Sequence, residues 1–248
     1  MISTMKTIEA AANLIKTSKN LSSFTGAGIS VESGIPVFRG KEGVYSKYEH
    51  KILEINYYKN NTEESWCAIL DIFYDKFTSA KPNTAHKILA QWEKLGILKY
   101  IITQNIDNLH RESGSKNIVE YHGNKEFFIC FECKSKFSHA DIKLSKDPPK
   151  CPKCGGLLKP DFVFFGEPIP SDAACLSHDI AKTTDVHLII GTTGEVQPAS
   201  YIPVYAKKTG AKIIEINPKP SKFTDKITDV FIEMKASEAL TGINELIN

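Results

Sequence analysis

A chain of 248 residues, 42% hydrophobic and 24% charged, is long enough for one large domain or a domain carrying inserts. A formal net charge of +2 and a pI near 8.1 exclude the strong basic field of a surface built for nucleic acid. No apolar run approaches the ~18 residues of a membrane span, and six cysteines are too few for a disulfide scaffold of this size.

The N-terminal stretch has no signal-peptide cleavage site, so a cytoplasmic chain is expected. Over residues 5–17, Ile8, Ala11, Ala12 and Ile15 share one helical face. Residues 21–24 read as a strand that runs straight into Gly26-Ala27-Gly28 and a helix start. Glycines let backbone approach a ligand closely, and a helix N-terminus offers N–H groups and a positive dipole end to a diphosphate. The third glycine of the dinucleotide fingerprint is missing, because Val31 stands there, so these residues alone also fit a plain turn in an α/β core. Next, Ser33-Gly34-Ile35-Pro36 and Phe38-Arg39-Gly40 read as a mobile lid with one aromatic ring and one cation.

Residues 41–77 are richer in Tyr, Lys and Asn, with helical spacing over 66–77, and read as a helical insert. Pro82-Asn83 opens a helix over 85–95 that Gly96 stops. Strands are predicted at 98–103, 118–121, 186–190, 211–216 and 230–234, and further helices at 199–208 and 237–246. Alternating strands and helices predict a Rossmann-like α/β fold, a doubly wound parallel sheet. The large part takes residues 1–40, 82–126 and 159–248, and a smaller part is assembled from inserts 41–81 and 127–158. Five strands end in polar or glycine clusters: GAG, QNIDN, YHGN, GTTG and INP. Ligands of open parallel sheets bind at the carboxyl ends of strands, so these clusters should meet at one crevice.

Cys130-x-x-Cys133 and Cys151-x-x-Cys154 stand 17 residues apart, a spacing suited to one tetrahedral zinc ion, with redox pairs as the other reading. Four thiolates leave no open position for water, so such a metal would be structural and would fold a segment with little core of its own. Cys67 and Cys175 read as ordinary core cysteines.

Taken in order, GAGIS, SGIP, FRG, TQNID, YHGN, the two C-x-x-C pairs, KPDFVFFGE and GTTGEVQPAS resemble the sirtuins over residues 15–236. The resemblance implies an NAD-dependent protein lysine deacylase, which moves the acyl group from lysine to ADP-ribose and releases nicotinamide. It makes His122 the catalytic general base, with Asn105 and Asp107 positioning the ribose and nicotinamide. Cofactor contacts are then Gly26, Ala27, Gly28, Val31, Phe38, Arg39, Gln104, Ile106, Gly191, Thr192, Thr193, Asn217, Lys235 and Ala236. The substrate peptide would lie as an added strand between Val163, Phe164, Gly166 and Glu167 on one side and Glu195 and Val196 on the other. His110 and Asn108 read as structural. The implied partners are acyl-lysine proteins or peptides, without membrane or direct nucleic-acid contact. Val37 departs from the Asp that many sirtuins carry, which puts a lid carboxylate in doubt. Leu70 and Phe73 stand where succinyl-preferring members carry Tyr and Arg, so acetyl or longer apolar groups are expected. Protein ADP-ribosyl transfer or NAD hydrolysis, and a non-enzymatic NAD-sensing docking module, are the rival expectations.

Overall fold

Two five-residue runs without proline, LSSFT and VHLII, become the centre of a parallel sheet. β1 (Leu21–Thr25) and β7 (Val186–Ile190) are buried at every residue, as strands covered on both faces must be. The structure, a computed structural model, describes residues 2–40, 43–75 and 79–247. β2 (Leu98–Thr103) and β3 (Ile118–Glu120), with the short α5 (Leu109–Glu112) between them, extend the sheet on one side of β1, and β7, β8 (Lys212–Asn217) and β9 (Val230–Glu233) on the other. The order is therefore β3-β2-β1-β7-β8-β9, parallel throughout. Successive connections leave β1 in one direction and return in the other. This makes the boundary between β1 and β7 the topological switch point, where a crevice opens beyond the strand ends.

Helices α1 (Ile2–Thr17), α4 (Thr84–Lys94) and α8 (Ala236–Ile247) pack on one face, around Leu21, Ile101, Leu188 and Ile214. Helices α6 (Ser171–Thr183) and α7 (Tyr201–Lys208) cover the other, around Phe24, Ile102, Ile189 and Ile213. Trp92 is wholly buried in the first core, and its truncation to Ala would cost about 3–5 kcal/mol. The start of α4 is fixed by Asn83, whose side-chain oxygen accepts from the Ala85 N–H at 2.9 Å. Its amide nitrogen donates to the Ile29 carbonyl at 2.7 Å, which ties the helix to the glycine turn after β1.

A second core joins the inserted segments. It gathers Trp66, Ile69, Ile72 and Phe73 with Phe128, Leu158, Phe162 and Phe164. The helical insert supplies α2 (Ile55–Asn60) and α3 (Thr62–Ile69), followed by a widened π-helical turn over Leu70–Asp75. The last residues of the predicted helical stretch, 76–77, lie outside the described residues. The cysteine-rich insert forms an antiparallel sheet of β4 (Gly123–Cys130), β5 (Lys136–Ser138) and β6 (Leu158–Phe162), in the order β5-β4-β6. Cys67 and Cys175, expected in the core, are exposed. Each sits on the solvent side of a helix whose neighbours Trp66 and Ser177 face inward.

Candidate active site

The crevice at the switch point is built on backbone contact. Gly26 and Gly28 follow β1, and Gly191 follows β7. The Gly28 N–H donates to the Gly191 carbonyl at 2.8 Å. A Cβ on Gly28 would stand 2.6 Å from Gly191 Cα, and one on Gly191 would stand 2.3 Å from the Ile29 nitrogen. The two loops touch through their main chains, so no larger residue fits at either position. The turn continues as a tight 3-10 helix, Ala27–Ser33, rather than the α-helix a fingerprint turn would open.

The polar ends of five strands converge here, as their sequence clusters imply. A cavity of ≈ 520 Å³ is walled by Gly26, Ala27, Gly28, Phe38, Arg39, Gln104, Asn105, Ile106, His122, Gly191, Thr192, Thr193 and Asn217, within the usual size of about 300–1,000 Å³ for a small-molecule site. Val163, Phe164, Gly166, Glu167 and Val196 line its other end. Asn105 donates to the Gly26 carbonyl at 3.1 Å and to Ser30 Oγ at 3.2 Å. Gln104 Nε2 donates to Thr192 Oγ1 at 3.1 Å.

His122 lines the same cavity. Its Nδ1 lies 3.2 Å from the Gln104 carbonyl, an atom that only accepts, so Nδ1 carries the proton and Nε2 keeps a free lone pair. Burial lowers its pKa below the ordinary histidine value of 6.5, against a smaller upward pull from that hydrogen bond. The imidazole is therefore neutral at pH 7 and has the electronic form of a general base.

Beneath the wall lies a buried polar network. Asp107, 6% exposed, accepts from Ser30 Oγ at 2.7 Å and from the Leu109 N–H at 2.9 Å. Burial raises its pKa, and the hydrogen bonds from Ser30 and Leu109 hold it back. His110 accepts from Thr25 Oγ1 through Nε2 at 2.9 Å, or donates to it, and stacks edge-on against His86.

A family model described as "Sir2 family" matches residues 26–198. This chain belongs to the Sir2 family. It is 45% identical to the NAD-dependent protein deacylase of Pyrococcus furiosus, over 90% of this chain and 91% of the relative. It is 43% identical to NAD-dependent protein deacetylase 1 of Pyrobaculum aerophilum, over 94% and 92%. Among solved structures, a Sir2 homolog–NAD complex superposes with a TM-score of 0.89 at 37% identity, covering 96% of this chain and 93% of that one. A Sir2 variant with a deacetylated p53 peptide and 3'-O-acetyl ADP ribose gives 0.91 at 33% identity, covering 96% and 97%.

In this sirtuin the cavity has the parts that NAD requires: a glycine cradle too tight for side chains, hydroxyls and carboxamides at the strand ends, and a cation at the mouth. Arg39 there pairs with Glu195 at 3.1 Å. The four cysteines also meet. Their sulfurs lie within 4.8 Å of one another, with Cys130–Cys154 at 3.5 Å and Cys133–Cys151 at 3.7 Å. A tetrahedron with Zn–S near 2.3 Å needs about 3.8 Å between sulfurs, so the donor set fits one zinc ion. Each knuckle turns through a left-handed residue, Lys134 at φ 58° and Gly155 at φ 76°.

Several expected positions stand apart from the wall. Asp107 sits behind it, Val31 is 46% exposed, and Glu195, Lys235 and Ala236 are outside the cavity lining. Lining residues that the sequence clusters do not include are Tyr45, Leu53 and Ile169 and the Lys219–Ser221 stretch beyond the INP cluster. Tyr45, Ile169 and the 219–221 stretch lie close to motif residues in sequence, whereas Leu53 does not. Phe73 lines the cavity, whereas Leu70, one turn away, does not.

Proposed function

We propose that this sirtuin is an NAD-dependent protein lysine deacylase, moving an acyl group from lysine to ADP-ribose with release of nicotinamide. The observation that carries the reading is a single cavity joining the glycine cradle, a neutral His122 with its Nε2 lone pair free, and an aromatic end. NAD, when bound, supplies the ribose carbon that nicotinamide leaves. Gly26, Ala27 and Gly28 hold the diphosphate by backbone, Asn105 and Gln104 orient the ribose, and Asp107 backs the nicotinamide pocket through Ser30. Val31, Lys235 and Ala236 remain candidate outer contacts. His122 Nε2 takes a proton from a ribose hydroxyl. Phe38, packed on Tyr45 at 5.7 Å and Phe73 at 6.3 Å, shields the reacting face from stray water.

The peptide adds as a strand between Val163–Glu167 and the segment of Glu195 and Val196. Phe73, Phe162, Phe164 and Ile169 make the acyl end aromatic and aliphatic, which supports acetyl or longer apolar acyl groups over succinyl. The separate core of the inserted segments supports a division into a large sheet part and a small part from 41–81 and 127–158. No helix among the described residues is long and apolar enough to cross a membrane, and we place the enzyme in the cytoplasm.

Incubation with NAD and acetyl-, myristoyl- or succinyl-lysine peptides, followed by mass spectrometry, tests the reading. Acyl-ADP-ribose and free lysine peptide are expected. ADP-ribosylated protein or free ADP-ribose as the sole product would replace it with transfer or hydrolysis, and fastest turnover of succinyl-lysine would overturn the acyl preference.

A further inference from the structure

We propose that Glu215 is a positioning residue for the adenosine end of the cofactor: it holds the Asn217 carboxamide so that its oxygen, not its nitrogen, faces the crevice. The inference rests on the reading of this cavity as the NAD site. Glu215 lies in β8 and is wholly buried, in a strand whose other positions take Ile213, Ile214 and Ile216. Its three donors among the described residues are all neutral. Oε1 accepts from Asn217 Nδ2 at 2.9 Å, and Oε2 accepts from Thr224 Oγ1 at 3.0 Å and Thr228 Oγ1 at 2.7 Å. A carboxylate buried without a cation is costly, and an apolar residue would satisfy the strand better.

The geometry shows what the carboxylate does there. The second N–H of Asn217 donates to the Thr192 carbonyl at 3.1 Å. Both amide hydrogens are thus committed to atoms that only accept. A flipped amide would set its oxygen against two oxygens, so Oδ1 is left as the atom available to the cavity that Asn217 lines with Thr192 and Pro218. An acceptor at that point takes a hydrogen bond from a ribose hydroxyl. The same carboxylate folds the following loop inward, because Thr224 Oγ1 also accepts from the Ser221 N–H at 2.8 Å and Ser221 belongs to the wall.

Calorimetry with ADP-ribose tests this. Wild-type protein that fails to bind ADP-ribose overturns the cofactor reading itself, and this proposal with it. With wild-type binding established, Glu215→Leu should weaken ADP-ribose by about tenfold while the KM for an acetyl-lysine peptide at saturating NAD moves less than about twofold. Glu215→Gln should restore most of the affinity, since its amide oxygen still accepts from Asn217. Equal ADP-ribose affinity in wild type and a folded Glu215→Leu overturns the proposal. Should that variant not fold, exchange of the Asn217 side-chain amide protons in the wild type decides. Slow exchange already in the free protein, unchanged by ADP-ribose, is the expected result; protection that arises only with ADP-ribose overturns it.

Discussion

His122 shows how one hydrogen bond sets a chemical role. A histidine at a strand end is unremarkable until its Nδ1 meets the Gln104 carbonyl and leaves Nε2 as the only basic nitrogen. Burial keeps the ring neutral below the ordinary histidine pKa. If His122 is the base, as proposed, the acid limb of kcat/KM against pH should fall below pH 6.5, where protonation occupies the Nε2 lone pair. A limb centred at pH 7 or above would contradict this. His122→Ala should lose about 10²–10⁴-fold in turnover, with a far smaller change in ADP-ribose affinity by calorimetry. Lys159 is a second single-residue device. Its buried ammonium donates to the Pro160 and Phe162 carbonyls, both at 2.9 Å, and to Glu167 at 3.0 Å, while Glu167 accepts from the Phe164 N–H. Lys159→Met leaves Glu167 without its cation and should cost about 3 kcal/mol in urea unfolding. It should also raise the KM for acyl peptide, because the freed segment lines the end of the cavity proposed to take the acyl group.

At the scale of elements, two connections decide whether the site exists. The turns after β1 and β7 interlock at Gly28 and Gly191 with no room for a methyl group. Gly28→Ala should destabilise the fold by about 1–3 kcal/mol through overpacking against main chain. ADP-ribose binding should fall with it, whereas a melting temperature equal to wild type would refute the interlock. The zinc knuckles are the other connection. β4 carries Cys130 and pairs with β6, which runs on into the segment lined by Val163 and Phe164. Val163 N–H donates to the His122 carbonyl at 2.8 Å. Removal of zinc by a strong chelator should therefore abolish activity without any zinc chemistry in the reaction, and melting should move to lower temperature. Recovery on adding zinc back, with no recovery on adding magnesium, checks the assignment.

At the scale of the molecule, the buried histidines make the fold acid-sensitive. Burial lowers His86 to about 4 and His187 to about 3, and burial with the neighbouring His86 holds His110 well below 6.5. These rings stay neutral in the folded protein while the unfolded chain takes up protons below pH 6.5. Stability is thus complete above that pH and declines as pH falls toward 4, by up to about 1.4 kcal/mol per pH unit for each histidine. Asp107 acts in the opposite sense, because its raised pKa lets the folded state bind a proton before the unfolded state does. Three histidines outweigh one carboxyl, so the melting temperature should drop steadily from pH 6.5 to pH 4.5. A flat profile over that range would show that the rings are not held neutral.

The order of motifs was enough, read by itself, to identify the family, the central strands and the zinc ligands. Strand periodicity and C-x-x-C spacing are local, and they survive any packing that keeps them. The five polar strand ends imply a crevice from the sequence alone. Helix α6 is not legible in the sequence because only Ser177, Ile180 and Ala181 of its residues are buried, too few to write a clear apolar stripe. Exposure of Cys67 and Cys175, withdrawal of Asp107 behind the wall, and the arrival of Tyr45 and Lys219–Ser221 at the cavity depend on how distant segments turn against each other. So does the pairing of Glu215 with Asn217, two residues apart on a strand, whose meaning comes only from the Thr192 carbonyl brought in by another loop. Local spacing determines which groups are present; three-dimensional contact decides which atom of each group faces the ligand.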